Sequence, residues 1–228
     1  MNVYTTEKIR NVVLLGHGGA GKTSLVESMA YLAGITTRMG KVEDGNTISD
    51  FGKEEQKRKI SIHTSVIPIE WEGHKINILD TPGYLDFVGE TEEAVSVADA
   101  AVIVVSGKSG VEAGTEKAWE LCEKYKLPRI IYVTGMDVDN ASFKNVVETL
   151  TEKYEKRIQR KQKELSRKEK GSKNYYKCKQ KINVLYTKLK NARKYYLHKV
   201  TKEITDRYDI IISETLKTKQ MIERKKLS

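Results

Sequence analysis

Eight consecutive residues carry the most legible chemistry in the chain: Gly16-His17-Gly18-Gly19-Ala20-Gly21-Lys22-Thr23, with Ser24 directly after them. Glycines at these positions let the backbone turn its N–H groups inward around a string of phosphates, and a helix opening at the end of the loop adds partial positive charge. In that arrangement the Lys22 ammonium reaches the β- and γ-phosphates and the Thr23 hydroxyl faces Mg²⁺. The plainer reading is a glycine-rich turn that binds nothing. What decides between them is whether a strand leads in and a helix leads out.

A second group, Asp80-Thr81-Pro82-Gly83-Tyr84, follows the apolar run Ile76–Leu79. An acid at the end of such a strand orients Mg²⁺, directly or through water. Gly83, with no Cβ in the way, lets its N–H approach a γ-phosphate. Alone, the tetrapeptide Asp80–Gly83 is only a turn. Placed roughly 60 residues after the glycine-rich loop, it stands in the order that P-loop NTPases use.

The elements needed to position these groups are present in the pattern. Asn11–Leu15 is a short apolar run of the kind a buried parallel strand shows, and Ser24–Ala33 reads as a helix with Leu25, Val26, Met29 and Leu32 on one side. Residues 36–60 are polar and read as one long loop. Alternation in Ile62–Ile69 and Lys75–Leu79 predicts two paired strands turning at Glu72-Gly73. A helix over Phe87–Val97, a strand over Ala100–Val105, a helix over Ala113–Tyr125 and a strand over Arg129–Val133 follow. Strands alternating with helices predict an α/β fold with a parallel sheet.

Composition breaks near residue 150. Residues 1–150 hold 16 Lys and Arg against 22 Asp and Glu, whereas residues 151–228 hold 25 against 9. All three prolines, both tryptophans and every glycine except Gly171 lie in the first part. Such an asymmetry indicates two pieces with different jobs and a polyanionic partner for the second. Cys122 and Cys178 lack metal-ligand spacing and suit a reducing cytoplasm. Neither a signal peptide nor an apolar run of about 18 residues is evident, so the expectation is a cytoplasmic protein without a membrane partner.

Three stretches, TRMGKVEDGNTISDFGKEEQKRKISI, DTPGYLDFVGE and PRIIYVTGMDVDNASF, resemble the GTPase domain of bacterial elongation factor G and its ribosome-protection relatives. The likeness covers about Lys8 to Tyr154. It implies a P-loop GTPase fold, GTP or GDP with Mg²⁺ as cofactors, and the ribosome as a partner. It also implies that Ser61 is the switch-loop hydroxyl meeting Mg²⁺ and the γ-phosphate, where the family usually has Thr. Two departures matter more. Tyr84 stands where the family has a histidine that orients the attacking water, and a phenol with a pKa near 10 cannot replace an imidazole, which implies slow hydrolysis. The guanine-reading tetrad stands as Thr134-Gly135-Met136-Asp137. Asp137 still accepts hydrogen bonds from guanine and repels adenine's acceptor nitrogen, but the family's Asn and Lys are gone. The plain alternative for Asp137 is a loop carboxylate.

From about Lys156 that likeness ends. Residues 156–216 resemble the middle of an OrfB-type transposase, a basic helical hairpin followed by a strand. Ile182, Leu185, Leu189, Ala192, Tyr196, Val200 and Ile204 recur at three- and four-residue steps on one helix, and Gly171-Ser-Lys-Asn174 separates it from an earlier basic helix. Tyr208–Ser213 reads as a single strand ending in Glu214. The resemblance places one acid of a two-metal nuclease site at Glu214, whose partners the chain does not supply, so no nuclease activity is expected. The expected organisation is therefore a GTP-binding domain over 1–154, lacking the family's last strand and helix, and a transposase-like hairpin plus strand over 155–228. Three functions compete: a GTP-binding, slowly hydrolysing protein of the elongation factor G kind; a nonspecific DNA- or RNA-binding module carried by the basic residues of 156–226; and a gene-fusion remnant without activity. Tyr175, Tyr176, Tyr195 and Tyr196 among the basic residues suit base stacking, while a solvated charged face is the bland alternative.

Overall fold

The computed structural model describes residues 3–207. The chain divides into two compact units, Met1–Glu152 and Lys153–Ser228.

In the first unit a five-stranded sheet runs in the order β2-β3-β1-β4-β5, built from β1 (Ile9–Leu15), β2 (Ser65–Trp71), β3 (His74–Asp80), β4 (Ala100–Ser106) and β5 (Arg129–Thr134). β1, β3, β4 and β5 are parallel to their neighbours, whereas β2 pairs antiparallel with β3. The sheet is thus mixed rather than wholly parallel, because β2 and β3 are joined by a hairpin. At its turn Glu72 and Gly73 both take positive φ, 46° and 74°, the backbone that a two-residue hairpin turn demands.

The period-two geometry of the strands sorts apolar residues to two faces. Val13, Leu15, Ile103 and Val105 pack with Ala94 and Val95 of α3 (Val88–Val97) and with Ala118, Leu121 and Cys122 of α4 (Ala113–Lys124). Leu14, Ile67, Ile78 and Val104 pack on the other face with Val26 and Ala30 of α1 (Lys22–Leu32). Leu14 is fully buried, so Leu14→Ala is expected to cost about 2–5 kcal/mol. Leu32 departs from expectation: it is 72% exposed, being turned away from the side of α1 on which Val26, Ala30 and Ala33 pack.

Residues 36–60 are not one long loop. A short helix, α2 (Lys53–Arg58), interrupts them, and Thr47, Ser49 and Asp50 are buried. At the other side of the sheet β5 is the edge strand among the described residues, and Ile130, Ile131 and Tyr132 are exposed there.

Two long helices follow, α5 (Phe143–Ser166) and α6 (Lys173–Arg207). In the second unit Ile158, Cys178, Ile182, Leu185 and Leu189 are buried. Gln162 Nε2 donates to Tyr186 Oη at 3.0 Å, and the Cys178 thiol donates to the Lys161 carbonyl at 3.7 Å. These contacts set the helices antiparallel, with Gly171 at φ 90° in the turn between them. Tyr208–Ser213 and Glu214 lie outside the described residues. No helix among the described residues is long and apolar enough to cross a membrane.

Candidate nucleotide site

β1 ends at Leu15 and α1 begins at Lys22, so the glycine-rich run joins a strand to a helix as the phosphate-loop reading requires. Two of its glycines are needed for shape. Gly16, at φ 145°, lies against the Val104 carbonyl where any Cβ would collide, and Gly21, at φ 87°, turns the chain into α1.

Lys22 is buried, and its ammonium donates to the carbonyls of Gly16 (3.2 Å) and His17 (2.9 Å). Burial lowers its pKa to about 8, against the pull of the Asp80 and Asp50 carboxylates. Asp80 is buried too, and desolvation raises its carboxyl to about 6. The Thr23 hydroxyl donates to Asp80 Oδ2 at 2.9 Å and lies 3.2 Å from Ser61 Oγ. Thr23, Ser61 and Asp80, all assigned to Mg²⁺ from sequence, are therefore brought together. The other Asp80 oxygen, Oδ1, is buried without a hydrogen-bond partner. An orphaned carboxylate oxygen beside two hydroxyls is an oxygen donor set that suits a hard divalent cation.

The Asp80–Gly83 turn is clamped onto the phosphate loop. Thr81 Oγ1 donates to the Leu14 carbonyl at 2.6 Å, and Thr91 Oγ1 donates to the Pro82 carbonyl at 3.2 Å. A Cβ on Gly83 would collide with Lys22 Nζ and would lie 2.5 Å from the Gly18 nitrogen. Tyr84 lays its ring against Gly18 and near His17, the two rings being 6.3 Å apart. His17 Nδ1 accepts from the Gly114 N–H at 3.3 Å, which leaves the proton on Nε2, 3.6 Å from Glu112.

At the far end of the loop, Thr134 Oγ1 donates to the Ala20 carbonyl at 2.6 Å. A threonine hydroxyl thus ties the end of β5 to the phosphate loop. Gly135 follows at φ 60° and offers no side-chain stem, while Met136 and Asp137 are exposed.

Three residues that the sequence did not single out hold the connecting segment in place. Glu27, buried on α1, accepts from the N–H groups of Gly40 (2.7 Å) and Ile48 (2.5 Å). Glu55, buried on α2, accepts from Gly52 (3.0 Å), Ile62 (2.9 Å) and His63 (3.1 Å), which brackets Ser61. Asp50 is buried nearby, its carboxyl raised chiefly by desolvation. For Glu27 a signal was available: it sits between Val26 and Ala30 on the inward side of an amphipathic helix, where a charge needs partners.

The elongation factor Tu GTP binding domain profile matches residues 7–217. The chain belongs to this family. It is 43% identical over 150 residues to the mitochondrial ribosome-releasing factor 2 of Drosophila ananassae, covering 66% of this chain and 20% of that protein. Against elongation factor G of Granulibacter bethesdensis it is 38% identical over 155 residues, covering 68% and 22% respectively. A crystal structure from Thermus thermophilus superimposes with a TM-score of 0.62 at 41% identity, covering 64% of this chain and 22% of that one. The chain spans about a fifth of the length of these relatives. Family membership makes it a GTP-binding domain of the translation-factor kind. The profile match continues through both long helices, beyond the point where the elongation factor G likeness was expected to stop.

Proposed function

We propose that this domain binds GTP and GDP with Mg²⁺ at the Gly16–Thr23 loop and hydrolyses GTP slowly. The observation that carries the reading is the cluster of buried Lys22, Thr23 and Asp80 with half-buried Ser61, one Asp80 oxygen being left without a partner. Backbone N–H groups of residues 18–23 and the start of α1 face the phosphates, and Lys22 exchanges its two carbonyl partners for β- and γ-phosphate oxygens. Thr23 and Ser61 would hold Mg²⁺ directly and Asp80 would orient its shell. When bound, the ion would neutralise phosphate charge. The Gly83 N–H serves the γ-phosphate. Tyr84 positions water without acting as its base. Asp137 reads the two N–H donors of guanine, and Thr134 fixes the tetrad's distance from the phosphate loop.

The Drosophila relative is named for releasing ribosomes, and by that resemblance a ribosome is the proposed partner of the nucleotide-bound state. Family membership favours this reading over a nucleic-acid module alone or a remnant without activity.

The experiment is fluorescent GTP binding to the purified chain with Mg²⁺, competed by unlabelled GDP and ATP, with Lys22→Ala in parallel. Saturable binding that GDP displaces, ATP does not, and Lys22→Ala abolishes is the expected result. Equal displacement by ATP would overturn guanine selection, and retained binding in Lys22→Ala would remove the site from this loop.

A further inference from the structure

We propose that the outer face of α5 is a track for the sugar–phosphate backbone of a nucleic acid, a site separate from the nucleotide pocket. Lys156, Arg160 and Lys163 of α5 and Arg167, one residue past its end, follow one another at steps of four, three and four residues, and all four are exposed. At about 100° per residue these steps keep the side chains within about 60° of one another, on the side of the helix opposite buried Ile158. With a rise of about 1.5 Å per residue, the three charges on the helix form a row about 10 Å long, which Arg167 continues past the helix end.

This row differs from the solvated helix faces of α2 and α4. Those faces mix signs: Arg58 Nε lies 3.0 Å from Glu54 on α2, and Lys117 Nζ lies 3.9 Å from Glu120 on α4. On the α5 row the sign never alternates. Glu152 precedes the row, four residues before Lys156, and Glu164, four residues after Arg160, is engaged by Lys161 and Lys168. Like charges at three- and four-residue spacing destabilise an isolated helix. A polyanion lying along the row converts that repulsion into attraction and releases the polyanion's condensed counterions. A continuous row of single-sign charge matches a ligand whose own charge is continuous and linear, as a phosphate backbone is. The four cations that reach it set the expected salt dependence.

The test uses the full chain, labelled short duplex RNA, duplex DNA and single-stranded RNA, and fluorescence anisotropy between about 50 and 200 mM salt. Four neutralised phosphates contribute about −3.6 to the slope of log K against log salt on a duplex, a loss of roughly 100-fold across that range. The variant Lys156→Gln/Arg160→Gln/Lys163→Gln/Arg167→Gln keeps good helix formers in place. It is expected to flatten the slope by about that amount with helix content by circular dichroism and GTP binding unchanged. A charge-matched control, Lys177→Gln/Lys179→Gln/Lys190→Gln/Lys194→Gln on α6, is expected to keep most of the slope. The nucleic acid held most tightly at the higher salt identifies the backbone. Equal losses in the two variants, no binding at the lower salt, or equal binding of polyglutamate would each overturn the proposal.

Discussion

The ring of Tyr84 rests on Gly18 so closely that a Cβ built at position 18 would lie 2.7 Å from the ring carbons. The turn after β3 and the phosphate loop are therefore in contact through an aromatic face and a glycine. By the resemblance to elongation factor G, Tyr84 also stands where a histidine is expected. A phenol is not an acid–base catalyst near neutrality, so removing the hydroxyl removes no such group. Tyr84→Phe is expected to leave the single-turnover rate of GTP hydrolysis within about twofold. Tyr84→His is expected to raise it tenfold or more, within the range general acid–base groups supply. Equal rates for all three proteins, read by phosphate release, would remove position 84 from the chemistry.

Gly18→Val tests the same contact from the other side. The ring must move away, and the side chain enters the space over the phosphates. Weaker GTP binding, by tenfold or more, is expected in fluorescence titrations. Unchanged affinity would mean that Tyr84 moves freely and that the loop does not depend on the glycine.

Lys22 stores instability in the nucleotide-free protein. Its folded pKa is about 8 against an ordinary value of 10.5, so the unfolded chain binds the extra proton between these values. Stability from this group is complete above about 10.5 and is lost as pH falls through about 8. At pH 7 the buried ammonium costs on the order of 3 kcal/mol. Lys22→Met is expected to stabilise the nucleotide-free chain by roughly 1–3 kcal/mol near pH 7 while abolishing GTP binding. Urea denaturation at pH 7 checks this, and a destabilised Lys22→Met protein that has lost no other contact would refute it.

Much of this site was legible because its signals are local. The phosphate loop lies between elements whose apolar patterns announce a strand and a helix, and Asp80 and Thr134 stand at strand ends. What stayed hidden depends on long-range partners. Glu55 reads as one acid in the charged run Lys53–Arg58, yet it is buried because Gly52, Ile62 and His63 aim three N–H groups at it. The hydrogen bond from Thr134 to the phosphate loop was equally invisible, since it depends on how close Ala20 comes to β5. The antiparallel sense of β2 was implied by its hairpin turn but was masked by the alternation of strands and helices elsewhere.

Glu55 supplies a prediction of its own. Glu55→Gln keeps the shape but weakens the acceptors, and Glu55→Ala removes them from three N–H donors. Loss of about 1–3 kcal/mol is expected for Glu55→Ala, with a smaller loss for Glu55→Gln. Mg²⁺-dependent GTP affinity should fall in the same order, because Ser61 is bracketed by these bonds. EDTA titration of bound fluorescent GTP reads the metal dependence. Equal metal dependence in wild type and both variants would detach Ser61 from the metal.

The most direct measurement of base recognition is calorimetric titration of GDP and XDP onto the wild type and Asp137→Asn. A carboxylate accepts from the ring N–H and 2-amino group of guanine, whereas an amide can donate to the 2-oxo group of xanthine. Wild type is expected to bind GDP and reject XDP, and Asp137→Asn is expected to reverse that order. Indifference of both proteins to the base, or unchanged GDP binding in Asp137→Asn, would contradict guanine recognition by Asp137.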